Sequence, residues 1–178
     1  MRLTRRFFLV ASVVAPIISL NPGLAIASDI AKAVELLTAA FACPIKPIVK
    51  KEVRNGVMLF YNGRIFEQKF SGDQSRLKFI FNEQFTQKSE PGLGGSFEAN
   101  YRREGDAAFK DLQGGSIHGE EGQPTIWLRL ACAGGQACYT EVSDGKTSKR
   151  ANFDVMFCDR VSAQDALLAI NVLRKAAR

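Results

Sequence analysis

The spacing of apolar residues predicts that the folded part of the chain begins with a helix. Residues 29–42 carry apolar side chains at helical spacing, Ser28 precedes them as a capping residue type, and Pro44 follows them as a stop. Such a stripe usually packs on a sheet of the same protein. Its members are Ile30, Val34, Leu37 and Phe41.

A series of strands follows, separated by turn signals. Asn55-Gly56 and Asn62-Gly63 both tolerate the positive φ angles of two-residue hairpin turns. Short connections between strands favour antiparallel pairing. The predicted strands cover residues 48–54, 57–61, 64–71, 77–82, 97–101, 125–132, 137–142 and 151–158.

The clearest helix ends the chain. The segment from Ser162 to Asp165 resembles a capping box, and residues 166–177 contain no Gly or Pro and finish in basic residues that suit a helix C-terminus. Together these elements predict a single α+β domain over residues 28–178, with an antiparallel sheet, curved or barrel-like, and one helix at each end.

Residues 86–124 interrupt this pattern. Eight glycines and two prolines fall in the segment, which therefore predicts a long loop around one short turn of helix or strand near residues 106–112. Loops of this length are commonly functional or disordered. A functional site is expected first in this segment.

The composition is that of an ordinary globular protein, with 178 residues, 46% hydrophobic and 24% charged. It excludes collagen-like, coiled-coil and wholly disordered chains. The net charge of +6 falls to +3 without residues 1–27, because Arg2, Arg5 and Arg6 lie there and no acid does. So small an excess gives little support to a nucleic-acid-binding surface.

The first 27 residues predict a cleavable export signal. An uncharged run over residues 7–20 follows the three arginines, and small residues precede a cleavage point between Ala27 and Ser28. The run of 14 residues is shorter than the roughly 20 that span a bilayer, so no permanent membrane span is expected. The segment implies export machinery and signal peptidase as partners, and a periplasmic or secreted destination.

Residues 4–9, Thr-Arg-Arg-Phe-Phe-Leu, resemble the twin-arginine export motif, with Arg5 and Arg6 as the paired arginines. Adjacent arginines also occur in ordinary secretory signals, so both routes stay open. The resemblance implies that the protein folds before it crosses the membrane.

All four cysteines follow the export signal, and an even number in an oxidising compartment favours disulfides. Cys132 and Cys138 flank a hairpin-sized connection, while Cys43 follows the first helix and Cys158 ends the last strand. Among three possible pairings we therefore favour Cys132–Cys138 with Cys43–Cys158. The spacings match neither the C-x-x-C redox motif nor a zinc site.

The one histidine, His118, marks the candidate for catalysis or metal binding. A hydrolase hypothesis makes Ser116 the nucleophile, His118 the base and Glu120 the orienting acid, whereas a metal hypothesis uses His118, Glu120 and Glu121 as ligands. A solvated loop histidine is the plainer interpretation, because residues two apart in an irregular loop seldom meet in catalytic geometry. Residues 92–96 match neither a dinucleotide-binding loop nor a P-loop, and no cofactor is expected.

The function expected from these patterns is that of an exported, non-catalytic binding or interaction protein with an unknown periplasmic protein or small ligand as partner. The alternative is a small exported hydrolase or metal-dependent enzyme built on the His118 segment. A carrier of apolar ligands is a third hypothesis, although most of the phenylalanines fall on alternating strand positions typical of a core.

Overall fold

The computed structural model describes residues 22–54, 57–89, 95–120 and 125–178. Within these ranges the helices are α1 (Pro22–Phe41) and α2 (Arg160–Ala176), and two short 3-10 helices cover Phe109–Asp111 and Ala133–Gly135. No helix in the described ranges combines the length and apolar character that a membrane crossing requires. The strands are β1 (Ile48–Arg54), β2 (Val57–Phe70), β3 (Arg76–Ser89), β4 (Ser96–Ala108), β5 (Leu112–His118), β6 (Ile126–Cys132), β7 (Tyr139–Ser143), β8 (Lys146–Arg150) and β9 (Asn152–Phe157).

The strands form two antiparallel sheets. One sheet has six strands in the order β1-β2-β3-β4-β7-β8, and the other has three in the order β5-β6-β9. The α+β class with a helix at each end is confirmed. Within the described ranges the six-stranded sheet does not close into a barrel, because β1 and β8 remain its separate edges. β4 pairs with β7 instead of the next strand in sequence.

β2 continues through Asn62-Gly63, where the sequence predicts a turn. On one side β1 places Val49 opposite Asn62, and on the other side β3 places Phe85 opposite Gly63. Hydrogen bonds from two neighbouring strands stabilise the extended backbone and outweigh the local turn preference. The turn predicted at this pair is wrong, and the one predicted at residues 55–56 lies outside the described residues.

Most of the described part of residues 86–124 is strand, contrary to the long loop expected there. β3 and β4 pair along almost their whole length, and β5 pairs with β6. The glycine at position 105 of β4 is explained by packing, because a side chain there would collide with the ring of Phe79 on the neighbouring strand. The 3-10 helix Phe109–Asp111 agrees with the short turn predicted near residues 106–112.

One apolar cluster joins both helices and both sheets. The buried ring of Phe41, at the end of α1, lies 5.9 Å from that of Phe70 on β2 and 5.7 Å from that of Phe79 on β3. It also meets the ring of Phe157 on β9 edge to face at 5.4 Å. Since these rings come from α1 and from both sheets, their contacts hold the layers together.

Both helices begin earlier than the sequence pattern predicts. α1 starts at Pro22, a residue type suited to the first helical position, so Ser28 lies within the helix. α2 follows Asp159, whose carboxylate accepts a hydrogen bond from the backbone N–H of Ser162 at 2.7 Å. This bond lowers the pKa of Asp159. Asp159 is therefore the N-cap, in place of the capping box predicted at Ser162.

The four cysteines lie in the two pairs that the sequence favours. Cys43–Cys158 connects the chain after α1 to the chain after β9 over 115 residues, and Cys132–Cys138 closes a separation of 6 residues. The Cα–Cα distances are 5.8 and 5.7 Å, within the usual range for disulfides. Two such bonds are typical of an oxidising, extracytoplasmic environment.

Replacing both members of the Cys43–Cys158 pair with serine should lower the free energy of unfolding by about 4 to 5 kcal/mol, because the bond restricts a 115-residue separation in the unfolded chain. The same replacement at Cys132–Cys138 should cost about 2 kcal/mol, since its loop is far shorter. Chemical denaturation of both variants beside the unaltered protein measures the difference. Equal losses would contradict the dependence on loop length.

Candidate functional site

Two of the sequence-predicted site residues, Ser116 and His118, lie on the three-stranded sheet, on the face turned away from the main core. Leu128 and Val155 are buried on the core side of β6 and β9, and the alternate residues form the opposite face. Two neighbouring rows cross the three strands on that face. The first row is Ser116, Arg129 and Asp154, and the second is His118, Trp127 and Met156.

Ser116 and His118 contact each other on β5, with the serine Oγ 2.8 Å from the histidine Nε2. Residues two apart in a strand point to the same face, so the strand brings together two side chains that an irregular loop would seldom align. Both residues are exposed. A serine hydroxyl that donates to a neutral imidazole nitrogen has the arrangement that activates a nucleophile.

Glu120, the acid that the hydrolase hypothesis assigns to His118, is exposed, and no hydrogen bond or ion pair in the described chain joins the two residues. Glu121, the third residue of the metal hypothesis, lies outside the described residues. Among the described residues one cluster has metal-ligand spacing, and its two sulfurs are joined in a disulfide. That cluster is Cys43, Cys158 and Asp159.

A charged pair adjoins the Ser116–His118 contact. Arg129 donates from Nε and Nη2 to the two carboxylate oxygens of Asp154 at 2.8 and 2.9 Å. The hydrogen bond from Arg129 lowers the pKa of Asp154 against the opposing effect of partial burial, and the positive charge of Arg129 lowers it as well. Asp154 is thus an ionised group engaged by Arg129.

A second exposed surface lies on the six-stranded sheet, on the side that carries the core residue Phe79. There β3 and β4 continue beyond the core. Gly105 and Ala107 of β4 are buried, whereas Phe97 is 55% exposed and Tyr101 is 41% exposed on the same side of the strand. The register adds half-buried Phe85 of β3, opposite Ala99. We call Phe85, Phe97, Ala99 and Tyr101 the projecting face.

Charged residues mark the border between the core and the projecting face. Glu83 lies opposite Tyr101, and its partial burial raises its pKa, while the charge of Arg103 acts in the other direction. The guanidinium of Arg103 lies 4.7 Å from the ring centre of Phe81 and 3.8 Å from the carboxylate of buried Glu141. The border therefore holds partly dehydrated polar groups beside aromatic rings.

Comparisons with protein-family models, with curated proteins and with solved structures gave no match. The Ser116–His118 contact would follow from the sequence once a strand is assigned to residues 112–118. The exposure of Phe97 and Tyr101 would not, because alternation identifies the two sides of a strand without showing what covers each side.

Proposed function

We propose that the protein is an exported, non-catalytic binding protein that recognises its partner through the projecting face. The observation that supports this is the exposure of Phe97 and Tyr101 on the core side of an extended sheet. Contiguous exposed apolar residues often mark interaction surfaces. Aromatic side chains also supply much of the binding energy in protein interfaces.

A protein partner suits this surface better than a small ligand. Phe97, Ala99 and Tyr101 follow one another along the same side of β4, on an open sheet. Small ligands are usually held in concave pockets that cover most of their surface, whereas protein interfaces are broad and have polar borders. Glu83 and Arg103 provide polar groups of this kind next to the aromatic residues.

Replacing Phe97 and Tyr101 with serine should weaken partner binding by about 30-fold for each residue replaced, because each exposed aromatic residue is a candidate binding hot spot of about 2 kcal/mol. Stability should change little, since both residues are exposed. Recovery of envelope proteins on immobilised protein, quantified by mass spectrometry, measures the effect.

The matched control replaces Val161 and Leu168 with serine, two exposed apolar residues on α2. That variant should retain the proteins that the unaltered chain recovers. Equal recovery by the unaltered chain and by the Phe97→Ser/Tyr101→Ser variant would contradict a binding role for the projecting face.

Export to the periplasm is the second part of the proposal. The charged start, uncharged run and small residues before Ser28 have the order of an export signal, and the paired residues Arg5 and Arg6 suit the twin-arginine route. Both disulfides agree with an oxidising destination. Export machinery and signal peptidase are then the first partners of the chain.

Protein recovered from the cell envelope should begin at Ser28, because cleavage follows the small residues up to Ala27. Conversion of Arg5 and Arg6 to lysine should retain the precursor in the cytoplasm if the twin-arginine route is used. Mass spectrometry of the amino-terminal peptide measures both outcomes. An envelope protein that retains Met1 would contradict cleavage.

A hydrolase is the second candidate, favoured by the 2.8 Å contact between Ser116 Oγ and His118 Nε2. A fluorophosphonate probe labels a serine that a neighbouring base activates. Under the hydrolase hypothesis, Ser116→Ala and His118→Ala abolish labelling, whereas Ser148→Ala on β8 retains it. The binding proposal expects no labelling of the unaltered protein, so stoichiometric modification of Ser116 would favour the enzyme.

A further inference from the structure

β1 is an edge of the six-stranded sheet and carries two exposed valines. It pairs with β2 on one side, and no other strand of the described chain pairs with it. Val49 and Val53 are 68% and 66% exposed, on the side opposite to the projecting face. A free edge with exposed apolar residues is a template for pairing with a further strand.

Among the residues that the structure describes, neither helix packs along this edge. β1 lies beside residues 57–63 of β2, before the irregularity between Ile65 and Glu67. α1 contacts the other end of β2, where the ring of Phe41 meets that of Phe70. As far as the described residues extend, an additional strand therefore has room beside β1.

We infer that the strand added at this edge is β1 of a second copy, antiparallel and related by a two-fold axis at Lys51. Residues 48–54 read Ile-Val-Lys-Lys-Glu-Val-Arg, so this register places Val49 of each copy opposite Val53 of the other. It also places the lysine at position 50 opposite the glutamate at position 52. Apolar pairs and opposite charges at facing positions both stabilise antiparallel strands.

The backbone supports the same register. Arg54 opposite Val57 closes the β1–β2 ladder, with two residues between them. In a hairpin of this kind the closing pair exchanges hydrogen bonds, and alternate residues direct their N–H and C=O groups to the other side of the strand. Val49, Lys51 and Val53 therefore present these groups at the free edge. A two-fold axis at Lys51 pairs these same three positions between copies.

The two copies of Lys51 face each other in this arrangement, which by itself is unfavourable. The Nζ atom of Lys51 lies 5.5 Å from the ring centre of Phe60 on β2, so the ammonium lies toward its own sheet. Attraction to the aromatic face reduces the repulsion between copies.

The opposite edge does not offer the same match. β8 is exposed along its whole length, and a two-fold axis at Ser148 would place Lys146 opposite Arg150 of the second copy. Like charges at facing positions destabilise a strand pair. Of the two edges of the six-stranded sheet, β1 is therefore the better match for self-pairing.

This inference goes beyond the proposed function, because it uses an edge strand, β1, that carries none of the projecting face, and its two valines lie on the other side of the sheet. The Phe97→Ser/Tyr101→Ser variant should remain a dimer whether or not it loses its partner. Loss of the dimer in that variant would overturn the assignment to β1.

The purified, disulfide-bonded protein should sediment as a dimer with a concentration-dependent monomer fraction. Lys50→Glu or Glu52→Lys creates two like-charge pairs at the two-fold interface and should weaken dimerisation at least about tenfold. An equimolar mixture of the two variants should form a heterodimer, because acidic positions then face basic ones. The combined exchange in one chain should restore the homodimer, which separates a charge effect from loss of folding.

Lys149→Glu on β8 is the matched control and should leave the dimer intact. Thermal unfolding followed by circular dichroism checks that each single variant is folded. A monomer at every concentration would overturn the inference. Single variants that dimerise like the unaltered protein, or a mixture that stays monomeric, would overturn the register.

Discussion

The ring of Phe41 is the point at which the layers of this protein meet. It contacts Phe70 and Phe79 of the six-stranded sheet and Phe157 of the three-stranded sheet. The cysteines of the Cys43–Cys158 disulfide follow Phe41 and Phe157 within two residues in the sequence. A covalent bond therefore reinforces the aromatic contacts. Each sheet buries its apolar side against the other layers. β3 and β4 therefore leave the core where they extend past this junction.

β3 and β4 are long enough for one half of each strand to pack in the core and the other half to lie at the surface. These strands have 14 and 13 residues, more than twice the usual length of about 5 or 6. One half packs under the helices through residues such as Leu77 and Phe79, and the other half presents Phe97 and Tyr101 to solvent. A rigid core thus supports the exposed surface without a flexible loop between them.

The sequence predicts those strands whose local pattern agrees with their surroundings. β1 has its predicted bounds, because a proline precedes it and a turn pair follows. β8 has no buried side, so its five exposed residues carry no alternating signal. At Asn62-Gly63 the pairing of β2 with strands on both sides outweighs the local turn preference. The local sequence pattern does not indicate this pairing.

The disulfides and the candidate surfaces also differ in how far the sequence predicts them. The cysteine pairs follow from where the predicted elements end, and the structure places them together. The contact between Ser116 and His118 depends on recognising β5, whose glycines suggested a loop. The exposure of Phe97 depends on how far the other layers reach over the sheet, which is a property of the assembled fold.

The irregularity between Ile65 and Glu67 has a consequence for how the length of β2 can change. Before it, the odd-numbered Leu59 lies on the core side of the sheet, and after it the even-numbered Phe70 does. Deleting the additional residue would turn one half of the strand over and exchange its inside for its outside. Homologous chains that lose or gain one residue here need a compensating change elsewhere in β2.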